Sequence, residues 1–194
     1  MSGAIFKYYF EGEPMELHKI LNELISWETL HQGSAEDIVS EICMNLYSDR
    51  GIQARTYFEQ LPMWLQDIIL IIDFDTELNM NGIIGFLENS SGQYLDETID
   101  SLKRIGADQD YLTLHNIKLI LMSSGIDPSL LRANLNNQSE YTISSSQMIH
   151  GLDFDEVLDE AENLYLNQDR NIFENLFEYV EMNRSLFIRE MEEC

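Results

Sequence analysis

"IIDFDTELNMNGIIGFLENSSG", residues 71 to 92, decides the fold. Its opening letters suit a buried strand that ends on aspartates. Its middle has the spacing of a calcium loop, and its Asn and Gly letters equally mark corners between helices. The flanks choose among these. Upstream, Pro62 opens a segment in which Leu65, Ile68, Ile69 and Ile72 recur at helical intervals. Leu70 and Ile71 make the same segment apolar on most sides, as in a central buried helix. "ELNMNG" then ends that helix, with Asn or Gly available for a left-handed cap. "IIGFLE" reads as a short apolar helical turn and "NSSG" as a second corner.

Outward from this stretch the pattern stays helical. Pro14 suits the first turn of a helix carrying Leu17, Ile20, Leu21, Leu24 and Ile25. Ser34 and Asp37 form a capping pair for the next, which buries Ile38, Ile42 and Leu46. Gly92, Gly106 and Gly125 punctuate "YLDETIDSLKRI" and "DYLTLHNIKLILMSS". Asp127-Pro128 opens a short helix, residues 134 to 152 read as a loop, and two helices follow at about 153 to 167 and 169 to 189. "AIFKYYF" at residues 4 to 10 suits a strand, but one strand makes no sheet. The expected fold is all-α, one compact domain of about eight to ten helices. Residues 1 to 60 form its N-terminal helical part, and residues 61 to 190 a helical core ending in an acidic helix pair.

Composition narrows the function. The 194 residues hold 35 Asp and Glu against 11 Lys and Arg, a net charge of −24. A hydrophobic fraction of 44% with nine Phe, nine Tyr and two Trp fits a folded globule rather than an acidic disordered tail. Such a charge opposes binding to nucleic acid or an anionic membrane and favours basic partners, although a halophile's solvated surface has the same composition. "IILII" is far short of the ~20 apolar residues a membrane span needs. The N-terminal letters lack the regions of a signal peptide, and Cys43 and Cys194 make no disulfide framework. Cys43 reads as a small buried hydrophobe, and the protein as reduced and cytoplasmic.

Catalysis and metal binding are weakly supported, and no cofactor or metal is expected. "ILIIDFDTEL" resembles the nucleophile strand of haloacid-dehalogenase-type phosphohydrolases, with Asp73 as nucleophile and Asp75 as acid/base. Thr76 stands one place early, however, and Glu77 holds its slot. Lys103 and Lys118 lie in amphipathic helices, and no alternation of strand and helix supplies a parallel sheet. As a calcium loop, Glu77 to Glu88 places Gly82 at position 6 and Glu88 at position 12. Glu at position 1 crowds the first turn, and "NSSG" breaks the exit helix. His18, His31, His115 and His150 show no metal-ligand spacing.

The acidic excess is densest at the end of the chain, where residues 153 to 194 hold 13 acids against 3 bases. In the first closing helix Phe154, Val157, Leu158, Ala161 and Tyr165 form an apolar stripe. Asp155, Asp159 and Glu162 fall on one side of it, and Glu156 and Glu160 on the other, with Asp153 just before. In the second, Phe173, Leu176, Phe177 and Val180 form the stripe, and Glu174, Glu178 and Glu181 take the same offset. Carboxylates four residues apart repeat every ~6 Å along a helix. Charged rows are usually solvated faces, yet like charges at this spacing cost a few tenths of a kcal/mol per pair, which asks for compensation.

Residues 61 to 107 carry a further signal: Glu77, Asn79, Gly82, Phe86, then Asn89, Ser90 and Gly92, then a helix ending Ile105-Gly106-Ala107. This pattern resembles the core of the bacterial DNA-mimic protein family, and the last two helices are similar in type to that family's. Asn81 and Gly85 depart from the pattern. The resemblance, over about residues 60 to 188, implies a structural role for those motif residues. It also implies a non-enzymatic protein that occupies the DNA-binding surface of a basic partner, such as a transcription regulator. An immunity- or antitoxin-like inhibitor of a basic nuclease is the alternative. The expected partner is a basic DNA- or nucleic-acid-binding protein, with no direct contact to nucleic acid or membrane. A homodimer would lengthen the acidic ribbon.

Overall fold

The computed structural model describes residues 14 to 126 and 154 to 193. All regular elements there are helical, with no strand among the described residues, so the all-α class holds. In chain order they are α1 (Pro14–Leu24), α2 (Trp27–Gln32), α3 (Ala35–Leu46), α4 (Asp49–Thr56), α5 (Met63–Glu88), α6 (Leu95–Arg104), α7 (Asp108–Ser123), α8 (Asp155–Ala161) and α9 (Ile172–Glu193). Three 3-10 turns, Phe58–Gln60, Ser90–Tyr94 and Tyr165–Asn167, join them. The strand expected at "AIFKYYF", the helix after Pro128, the loop to residue 152, Asp153 and Cys194 lie outside the described residues.

Contacts divide the chain into two units. One comprises Met1–Pro62 and Arg184–Cys194, the other Met63–Asn183. In the first, α3 begins as expected. Ser34 Oγ accepts from the Asp37 amide while the Asp37 carboxylate accepts from the Ser34 amide and hydroxyl, and these bonds hold the Asp37 carboxyl below its ordinary value. The Ser26 side chain caps α2, and Glu41 reaches it from α3, accepting from the Ser26 amide at 3.0 Å. Asn45 donates to the Leu24 carbonyl at the end of α1 (3.1 Å), so one face of α3 closes both preceding helix ends. Ile20, Leu21, Leu24, Ile25, Leu30, Ile38, Ile42 and Leu46 form the core of this unit. Each such side chain contributes about 1.5–3 kcal/mol by leaving water. Cys43 is half-buried rather than part of that core.

The second unit is organised around α5. Trp64, Leu65, Ile68, Ile69, Leu70, Ile71 and Ile72 are all buried, which confirms a helix covered on most sides. The helix runs four residues past Glu77 and breaks at Gly82, where φ is 68° and ψ −173°. That region is open essentially to glycine alone. Past the break, Ile83, Phe86 and Leu87 turn inward, and Phe86 packs edge-on against Phe74 with centroids 4.9 Å apart. At the second corner Gly92 passes so close to the end of α5 that an added Cβ would lie 2.5 Å from the Leu87 carbonyl oxygen. From there α6 packs on α5, α7 on α6, and α8 on α7.

Candidate protein-binding surface

The stretch from 71 to 81 is helix, so Asp73 and Asp75 stand mid-helix and not at the end of a strand. The geometry of a strand nucleophile is absent there. The calcium-loop spacing is likewise occupied by helix. Asn79 donates to the Asp75 carbonyl and carboxylate at 2.8 and 3.0 Å, and Asn81 donates to Glu77 Oε2 at 3.0 Å. Glu77 Oε2 also accepts from Asn89 Nδ2 at 2.6 Å. Glu77 therefore spans the Gly82 break, tying the last turn before it to the corner after it. Gly106 has φ 78°, and its carbonyl accepts from Asn175 of α9 at 3.0 Å. Of the remaining motif residues, Phe86 is fully buried and Gly92 sits at the tight corner.

These elements hold the segment from Tyr165 to Tyr179 at four points. On α5, Asp75 accepts from the Tyr165 hydroxyl at 2.6 Å, and burial together with this bond pushes the Tyr165 phenol far above its ordinary value. On α7, Asp110 accepts from the Tyr165 amide and from Arg170, each at 2.8 Å. Burial holds the Asp110 carboxyl above 3.8, against the opposing pull of these two donors. At the α6–α7 corner, Gly106 takes Asn175. Deepest of all, Asp67 of α5 has no exposed surface. Its two oxygens share the Arg104 Nε–H at 3.0 Å, Oδ1 also accepts from Arg104 Nη2, and Oδ2 accepts from the Tyr179 hydroxyl at 2.8 Å. That carboxylate raises the Arg104 pKa above its ordinary value.

The acidic residues expected to bind a partner fall as follows. Asp155 and Glu156 lie in the first turn of α8, Asp159 follows one turn later, and Glu162 stands at its C-cap, all exposed. Glu174, in the first turn of α9, and Glu178 and Glu181 beyond it are exposed as well. Acids in a first turn also favour the helix itself, by about 0.3–1 kcal/mol each. Glu160 is half-buried and accepts from Asn116 of α7 at 3.0 Å. The closing helices differ from expectation. The first stops at Ala161, because Glu162 to Leu164 turn off it and Asp169 adopts φ 54°. Leu158, expected in the apolar stripe, is 46% exposed, since the two-turn helix is seated through Val157 and Ala161. Its support is α7.

Cations are distributed in the opposite way. Arg104 and Arg170 are drawn to the buried Asp67 and Asp110, Lys118 to Asp96 at 2.5 Å, and Lys103 lies over the Tyr111 ring at 5.3 Å. Among the described residues no cation pairs with Glu156, Asp159, Glu162, Glu174 or Glu178. Periodicity did not reveal Asp67 or Asp110 as tethers, although a lone carboxylate within "WLQDIILII" was a signal, since a charge on an apolar face needs a partner.

No helix among the described residues is long and apolar enough to cross a membrane. No curated protein and no solved structure matches the chain. A family model described as DMP19-like protein matches residues 59–183, which takes in the whole second unit, including the Gly82 corner and both acidic rows. The match covers well over half of the sequence, and the chain belongs to the DMP19-like protein family.

Proposed function

We propose that this protein is a DNA mimic, a non-enzymatic binder whose exposed carboxylates take the place of phosphates on the DNA-binding surface of a basic protein such as a transcription regulator. The observation that carries the reading is the separation of charge within the second unit. Its described cations are engaged internally, while Asp155, Glu156, Asp159, Glu162, Glu174, Glu178 and Glu181 face solvent. A solvated surface needs no such separation. Repulsion within each row is tolerated because α9 is held at Gly106 and Asp67 and the preceding turn at Asp75 and Asp110. Carboxylates on tethered helices recur every ~6 Å, and a basic surface meets them, as it meets phosphates, through salt-screened attraction between opposite charges. The mechanism is competitive: partner surface occupied by carboxylates is denied to DNA.

The test is capture from host lysate on immobilised protein, eluted by rising salt and challenged with duplex DNA. A basic DNA-binding protein displaced by the duplex, and no longer retained by a Glu174→Gln/Glu178→Gln/Glu181→Gln variant, is the expected result. Retention that duplex DNA does not disturb, or equal retention by the variant, would overturn the reading.

A further inference from the structure

The solvent face of α7 carries three exposed apolar side chains together with His115 and Asn116. Leu112, Leu119 and Met122 are 55%, 49% and 60% exposed, and their spacing of seven and three residues puts them on a single face of the helix. The opposite face, with Leu114, Ile117 and Leu121, is buried in the core. Carboxylates border the apolar strip on both sides. On one edge Asn116, which shares the strip's face, donates to Glu160 of α8, and Glu156 lies one turn before Glu160. On the other edge α6 presents Asp96 and Asp100, which with Tyr111, His115 and Lys118 line a groove of about 260 Å³. The Lys118 charge is already engaged by Asp96.

A purely basic, polar surface docked here would leave the strip wet, while a purely apolar one would strip water from the flanking carboxylates without pairing them. Both parts are matched by a helix with apolar residues along one side and Lys or Arg at its margins. We propose that α7 receives such an amphipathic basic helix from the partner, its apolar side laid along Leu112 to Met122 and its cations reaching Glu156 and Glu160 on one edge and Asp96 and Asp100 on the other. The proposal rests on the acidic-surface reading and adds to it that affinity has two parts. The carboxylate part is screened by salt. The Leu112–Met122 part is not.

Calorimetric titration with two synthetic helical peptides tests this. One carries Arg margins and a Leu face; the other has the same Arg residues with Ser replacing Leu. The wild-type chain is expected to bind the Leu-faced peptide about tenfold more tightly, equivalent to ~1.4 kcal/mol, and to keep that advantage at high salt. A Leu112→Ser/Leu119→Ser variant, altered only at exposed positions, should lose the advantage yet bind the Ser-faced peptide at low salt as before. No advantage, or one that survives in the variant, overturns the proposal while the acidic-surface reading stands on the Ser-faced peptide. If neither peptide binds at low salt, both readings fall. If sedimentation shows a dimer that the variant converts to a monomer, with peptide affinity unaltered, the strip belongs to a second copy and the proposal is overturned.

Discussion

Asp67 and Glu178 are both carboxylates of the same unit, and the fold uses them in opposite ways. Asp67 has no exposed surface and is met by a guanidinium and a phenol, whereas Glu178 faces solvent without a cation among the described residues. Asp110 and Glu174 repeat the contrast. A charge removed from water must be paired to be tolerated, so the interior carboxylates Asp67 and Asp110 draw in Arg104 and Arg170. What is left outside is an unbalanced negative surface. The charge asymmetry on which the proposed function rests is therefore in part a by-product of how its core is tied together.

The largest effect is expected at Asp67. Asp67→Ala leaves the Arg104 guanidinium and the Tyr179 hydroxyl without their acceptor. Because Arg104 keeps about a third of its side chain in solvent, the expected loss lies near the lower end of the buried-pair range, about 3 kcal/mol, measured by denaturant unfolding. Asp110→Ala should cost about 1–3 kcal/mol by orphaning the Tyr165 amide and part of Arg170.

Asp110 also predicts a pH dependence with a definite sign. Its folded-state pKa is raised above 3.8, mainly by burial, so the folded protein holds that proton more tightly than the unfolded chain does. The proton-linked part of the Asp110 contribution is thus complete below 3.8 and is lost as pH rises through its higher folded-state value. Asp110→Asn should remove that decline from the stability profile, while Asp155→Asn on the exposed row should leave it in place.

Glu77 stands between these extremes, since it is half-buried and accepts from two asparagines, not from a cation. Glu77→Ala should lower stability by about 1 kcal/mol through loss of the Asn89 bond across the Gly82 corner. The smallest effect on stability belongs to the exposed rows. The triple change Glu174→Gln/Glu178→Gln/Glu181→Gln is expected within about 0.5 kcal/mol of the wild type in thermal unfolding, while abolishing capture of the basic partner. If that triple variant instead destabilised the fold as much as Asp67→Ala, the division between interior and exterior carboxylates would be wrong.

Much of the helical fold was legible from spacing. The α3 capping box, the burial of α5 on most sides and the two corners around Gly82 and Gly92 are local features, set by neighbours within a turn or two. The acidic rows of α8 and α9 were legible as residues on a helix face for the same reason. The length of α8 was not, because Glu162 to Leu164 leave the helix in a turn fixed by Tyr165 and Arg170, whose partners Asp75 and Asp110 lie far upstream.

The helical class, the glycine corners and the sign and density of charge follow from composition and short-range geometry alone. Which carboxylates are interior tethers and which are surface emerges when distant segments pack together. Asp67, Asp75 and Asp110 are chemically the same letter as Asp155 and Asp159. Their difference lies in partners brought from 37 to 112 residues away, Arg104, Tyr165, Arg170 and Tyr179. A carboxylate's role depends on the water and charge around it; the apolar run around Asp67 signals burial but names no partner.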